Sequence, residues 1–171
     1  MRVEPSFEFG ENICFTGGYS WRLKDGELRY RGDHKFAKLI NGRIPVTAGQ
    51  IEQFVAAMNL LDVWRWRDDY HPNDNGMEVC DGGEWWFSAN LAGREVKAGG
   101  CNAFPSYADP HQSVLYGDGE GRFGLLRVCL YEVFAIDSYI RQAEMYAKHT
   151  INATDESCNG GDADGPAGTG T

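Results

Sequence analysis

No apolar run in this chain approaches the roughly 18–20 residues that cross a bilayer as a helix, so no membrane span is expected. The opening residues, Met1-Arg2-Val3-Glu4-Pro5-Ser6, lack the apolar stretch of a secretory leader. No run of Lys and Arg occurs either: 16 basic residues stand against 25 acidic ones, leaving a net charge of −9. Nucleic-acid binding wants a basic face, so nucleic acid is not an expected partner. The five cysteines are odd in number, no pair is spaced Cys-x-x-Cys, and no histidine lies near enough to complete a zinc set. Most are read as small buried hydrophobes, with Cys158 a free thiol. Neither G-x-S-x-G nor H-E-x-x-H occurs, and His34, His71, His111 and His149 are scattered. These absences point to a cytoplasmic protein with no cofactor and no metal.

What is present suits one folded domain. The hydrophobic share of 42% and aromatic share of 13% are those of a globular chain. Residues 1–150 are expected to form a single α+β domain, large enough to bury about 70% of its unfolded surface. Residues 151–171 carry Asp155, Glu156, Asp162 and Asp164 with no base and many glycines. That composition reads as a disordered acidic tail.

Residues 1–18 alternate apolar and polar only briefly, at Phe7-Glu8-Phe9 and Ile13-Cys14-Phe15, which suggests a short edge strand or two. The Asp25-Gly26 pair marks a two-residue hairpin turn. Pairing across it sets Leu23 opposite Leu28 and Trp21 opposite Tyr30 on one face. Arg22, Arg29, Lys24 and Glu27 take the other. Residues 31–46 read as irregular. Thr47 and Gln50 form a capping box, and Ile51, Phe54, Val55 and Met58 recur at helical spacing, so a helix is expected over about 48–60. A second hairpin runs through Trp85, Phe87 and Ala89 to a turn near Ala92-Gly93, then Val96 and Ala98. Trp86 points to the opposite side. Residues 122–148 read as the main core helix, broken near Asp137-Ser138. The expected architecture is an antiparallel sheet of two or more hairpins with both helices on one face.

The densest chemistry lies between Trp64 and Pro105, which holds four of the five tryptophans. On a strand, Trp64 and Trp66 would face the same side. Asp68, Asp69, Asp74, Glu78, Asp81 and Glu84 separate the two tryptophan pairs, the first five within a long loop from 68 to 83. Two readings of the rings stay open. Trp21, Trp64 and Trp85 pack beneath the long helix as core, or Trp66, Trp86, Tyr70 and Phe104 line an exposed patch rimmed by acids. Such rings bury much area with few rotors, and an acid rim would steer a basic protein partner.

Other chemistries are weaker. The loop acids, with Asn73 and Asn75, offer hard oxygen ligands, but their spacing does not fit an EF-hand. A solvated loop with Asx turns is the plainer reading. Asp81 and Glu84 beside Trp85 form the pair nearest to carboxylate acid/base chemistry. Cys101 could form a thiolate pair with His71 or His111 only if the fold joined them. Gly119-Glu120-Gly121-Arg122-Phe123-Gly124 matches a phosphate-cradling glycine pattern, yet Asp118 and Glu120 would repel phosphate and no second strand follows to complete the unit.

The run Trp64-x-Trp66, Tyr70, Asp81-Gly82, Trp85 and Gly100-Cys101-Asn102-Ala103-Phe104-Pro105 resembles a group of uncharacterised bacterial proteins sharing that order. The match covers roughly residues 17–106. The resemblance implies a single α+β domain and no catalytic residues, and leaves Asp81, Trp85, Asn102 and Pro105 open to a wholly structural role.

The expected function is therefore a non-enzymatic protein-binding module of inhibitor, immunity or adaptor type, bacterial or phage in kind. Its binding residues are Trp66, Tyr70, Asp81, Trp86, Asn102 and Phe104, occluding a basic surface. A carboxylate- or metal-assisted enzyme acting on a small polar substrate, and a structural subunit, are the alternatives.

Overall fold

The computed structural model describes residues 4–13, 17–32, 42–78, 82–115 and 120–145. Asp81 and the acidic tail lie outside the described residues. The fold is α+β. Six antiparallel strands, β1 (Ser6–Ile13), β2 (Gly17–Lys24), β3 (Glu27–Gly32), β4 (Arg43–Pro45), β5 (Glu84–Leu91) and β6 (Arg94–Cys101), form one sheet in the order β4-β3-β2-β1-β5-β6. Two short strands, β7 (Ala103–Pro105) and β8 (Ser113–Leu115), pair separately.

Both hairpins turn where the sequence places them. Asp25 and Gly26 take φ of 54° and 71°, and Ala92 and Gly93 take 53° and 71°. Both positions of each turn are left-handed, the twist that matches the flanking strands. Trp21 faces Tyr30 and Leu23 faces Leu28 across the first turn; Phe87 faces Ala98 and Ala89 faces Val96 across the second.

Residues 1–18, expected to give only edge strands, instead supply the central strand. β1 pairs with β2 on one side and with β5 on the other. Its Phe7 and Phe9 are buried in the middle of the core. The alternation is short in sequence because Glu11 occupies the next inward position, and a carboxylate there hides the pattern.

Helix α1 (Ala48–Leu60) begins with the expected reciprocal cap between Thr47 and Gln50 and buries Phe54 and Met58. Helix α2 (Gly121–Val133) buries Phe123, Leu126 and Leu130. It stops earlier than expected, at Phe134-Ala135, where Ala135 takes a φ of 51°, before residues 136–145 resume as helix. Both helices cover the same sheet face. Phe123 stacks on Phe9 with ring centroids 4.8 Å apart, while Phe54 and Phe134 lie 5.0 and 5.7 Å from Phe7. Trp21 and Trp85 complete this layer against Tyr131 and Phe123.

Candidate functional site

The aromatic block folds inward. Asp62 takes a left-handed φ of 53°, and Val63–Arg65 forms a single 3-10 turn rather than a strand. Trp64 and Trp66 consequently diverge. Trp64 is half-buried under the Arg94 guanidinium, 4.5 Å from its ring centre. Trp66 is 5% exposed and meets Trp85 edge to face at 6.1 Å. Tyr70 is fully buried; its hydroxyl donates to the Pro110 carbonyl and accepts the Arg67 amide at 3.0 Å. Phe104 is buried too, stacked on Trp85 at 6.0 Å. Three of the four rings expected in an exposed patch are therefore core.

Asn102 is also buried. With a φ of 53°, it turns the chain between β6 and β7. Its side-chain oxygen accepts the Gly83 amide at 2.9 Å, and its own amide donates to the Gly83 carbonyl at 3.0 Å. One residue on, the Ala103 carbonyl accepts the Trp85 indole N–H at 2.8 Å. The stretch from Gly100 to Pro105 thus ties the approach to β5 against the end of β6.

The other acids of the loop are spent or solvated. Asp74 pairs with Arg67, whose hydrogen bond holds its carboxyl below the usual carboxylate range. Asp68, Asp69 and Glu78 are exposed. Among the described residues, no three His, Cys, Asp or Glu side chains are grouped to hold a metal ion. In the glycine pattern, Glu120 pairs with Arg127, and Gly121, with φ of 53°, sits against the Pro105 carbonyl, where a Cβ would lie 2.2 Å from that oxygen.

Trp86 alone among the proposed patch residues reaches the far side of the sheet. That face carries the polar half of every strand. One row runs directly across all six strands: Arg43, Arg29, Arg22, Glu8, Ser88 and Lys97. Three arginines stand side by side on adjacent strands, an arrangement that repels. Glu8 holds Arg22 at 2.5 Å, Asp25 holds Arg29 at 2.9 Å, and Glu27 is shared between Arg29 at 3.4 Å and Arg43 at 3.7 Å. Arg22 and Arg43 keep 56% and 61% of their side chains exposed, so these pairs return little stability. Lys24, Arg31 and Lys97 share the face and form no ion pair among the described residues. A shallow trough of about 800 Å³ lies on the same face, lined by Arg22, Lys24 and Lys97 and also by Glu4, Glu8, Asp25 and Glu95.

These cations lie far apart in sequence, and only strand register assembles them. The signal available beforehand was the first hairpin, whose polar face already grouped Arg22, Lys24 and Arg29.

A second polar cluster sits inside the fold. Arg127, on α2, donates to Glu11 at 2.7 Å and pairs with Glu120, while the Tyr19 hydroxyl donates to Glu11 at 3.0 Å. Burial pushes the Glu11 carboxyl above its ordinary range despite the pull of Arg127, and pushes the Tyr19 hydroxyl up as well. A cavity of about 410 Å³ lies beside it, lined by Tyr19, Arg127, Tyr131, Glu132 and Asp137. No described helix is long and apolar enough to cross a membrane. No protein family, curated protein or solved structure matches the chain.

Proposed function

We propose that this chain is a non-enzymatic protein-binding module of inhibitor, immunity or adaptor type, and that its contact surface is the open face of the sheet rather than the rings around Trp66. The observation that carries the reading is the set of cations Lys24, Arg31 and Lys97, which form no ion pair among the described residues and lie on the face that no described helix covers, in a chain whose net charge is −9. Elsewhere carboxylates outnumber cations, yet these three stand beside an arginine row that costs folding energy. Sites that break a local rule without stabilising the fold are where function is expected. The sign of the partner changes accordingly: Lys24, Arg31 and Lys97, standing without an ion pair among the described residues, suit an acidic partner, not the basic one that an acid-rimmed patch called for.

The test is capture from native lysate by the wild type and by Lys24→Glu/Arg31→Glu/Lys97→Glu. All three side chains are exposed, and such surface changes shift stability by about 0.5 kcal/mol or less each. A partner held by the wild type and lost from the folded triple variant supports the reading; a partner retained by the variant removes it.

The rival reading, a carboxylate-assisted enzyme, is favoured by one observation: the raised Glu11 carboxyl near the 410 Å³ cavity. It places the acid at Glu11 rather than at Asp81 or Glu84. An activity abolished by Glu11→Gln in a folded protein would support it.

A further inference from the structure

We infer that the cavity between β2 and α2 is a binding site for a small organic ammonium ion, seated against the Tyr19 and Tyr131 rings with the Glu132 and Asp137 carboxylates at its mouth. The cavity lies on the helix-covered side of the sheet, so the inference stands apart from the open-face reading. Its volume is about 410 Å³, and the described residues that line it are Tyr19, Arg127, Val128, Tyr131, Glu132 and Asp137.

The two tyrosines belong to a larger aromatic group. Tyr19 stacks on Tyr30 with ring centroids 6.3 Å apart, and Tyr30 meets Trp21 at 4.9 Å. Trp21 in turn stands at right angles to Tyr131 at 6.4 Å. The face of such a ring carries partial negative charge and attracts a cation, most strongly where water is excluded. Val128 adds an aliphatic wall that is 56% exposed. A bare metal ion has no use for that surface, and no three His, Cys, Asp or Glu side chains are grouped to hold one among the described residues. The alkyl groups of an organic cation bury it.

The charges have the matching sign. Arg127 is the one cation among the described lining residues, and it is already held by Glu11 at 2.7 Å and by Glu120. Glu132 and Asp137 are exposed and form no ion pair among the described residues. Four carboxylates therefore stand around one guanidinium, and the balance stays negative even when Glu11 holds a proton. A cavity lined by one sign of charge concentrates ligands of the other.

A break in the helix brings the two acids together. On an unbroken helix, residues five apart such as Glu132 and Asp137 would point about 140° away from each other. Ala135, between them, takes a left-handed φ of 51°, a conformation unfavourable to alanine. Helix α2 ends there, and both carboxylates reach the same cavity.

The probe is choline, and its counterpart is the neutral alcohol in which a tert-butyl group replaces the trimethylammonium, so that shape is kept and charge is lost. Titrated into the full chain and followed by the NMR shifts of the tyrosine rings, choline is expected to bind at least ~5-fold tighter than the alcohol. Glu132→Gln/Asp137→Asn changes two exposed side chains and is expected to weaken choline several-fold while leaving the alcohol unchanged. Tyr131→Leu keeps an apolar wall without the ring and is expected to abolish most of the preference for choline. Should that variant fail to fold, Val128→Lys sets a cation at the mouth from an exposed position on α2 and is expected to abolish choline binding. Equal binding of the two compounds, no binding of choline, or choline binding unchanged in both Glu132→Gln/Asp137→Asn and Val128→Lys overturns the inference.

Discussion

The indole of Trp86 fills the space that a side chain at residue 10 would need: a Cβ built on Gly10 would lie 2.2 Å from the ring. The two residues are directly opposite one another on β1 and β5, at the centre of the open face. Glycine in a strand is weak by itself, and a facing aromatic ring compensates by covering the exposed backbone. Gly10→Val should push the indole off β1, break its 3.4 Å contact with Glu8 and destabilise the domain by about 1–3 kcal/mol. Urea unfolding and the tryptophan emission maximum measure both effects. Unchanged emission and stability would show that the ring does not depend on that glycine.

Trp66 separates a core role from a surface one more sharply. At 5% exposure, packed on Trp85 and Phe87, its truncation should leave a large hole. Trp66→Ala is expected to cost about 3–5 kcal/mol, against the near-zero cost expected of a patch residue. A variant as stable as the wild type would return Trp66 to the surface.

Asn102 combines a left-handed backbone with a hydrogen bond to Gly83, so two substitutions split its role. Asn102→Gly keeps the conformation and loses the bond, which should cost about 1–2 kcal/mol. Asn102→Ala loses both and should cost about 1–2 kcal/mol more. Equal losses in the two variants would mean that the backbone conformation carries no cost at this position.

Much of this architecture is legible in the residues themselves. Asp25-Gly26, the Thr47/Gln50 cap and the alternation of Trp85, Phe87 and Ala89 are local signals with local causes. What escaped was non-local. β1 is central only because β5, more than seventy residues later, pairs with its other edge, and nothing near Phe7 announces that. Trp66 turned inward because Asp62 adopts a left-handed turn, breaking the two-residue period assumed for a strand. The polar face of the sheet was half visible: the first hairpin grouped Arg22, Lys24, Glu27 and Arg29, while Arg43 and Lys97 joined through strands whose register no local pattern fixes. Long-range register, more than propensity, limits what can be read from such a chain.

Glu11 predicts a dependence on pH. Its native pKa stands above the ordinary 4.5 because burial outweighs the attraction of Arg127. The native state therefore holds an extra proton between those two values. The stabilising contribution is full below about pH 4.5 and is lost as pH rises through the native pKa. The advantage of wild type over Glu11→Gln in urea should shrink as pH is raised from about 4 to 7. Arg127→Met leaves Glu11 buried without a cation and should cost about 2–4 kcal/mol at pH 7, and less at pH 4. A wild-type advantage that grows with pH would reverse the assigned direction.

The arginine row makes its own demand on stability. If Arg22, Arg29 and Arg43 stand together for a partner, removing the middle one should not harm the fold. Arg29 keeps Asp25 and Glu27 close, but these are partly exposed pairs worth at most about 1 kcal/mol, set against repulsion from arginines on both sides. A β-branched Thr also suits a strand better than its neighbours require. Arg29→Thr is therefore expected to leave stability within about 0.5 kcal/mol of wild type at low salt. Added salt should change that difference little, because screening weakens both the ion pairs and the repulsion that Arg29 carries. Urea midpoints at low and high ionic strength decide the matter. A loss well above 1 kcal/mol, unaffected by salt, would make the row a structural element of the sheet, and the argument for a binding face would then rest on Lys24, Arg31 and Lys97 alone.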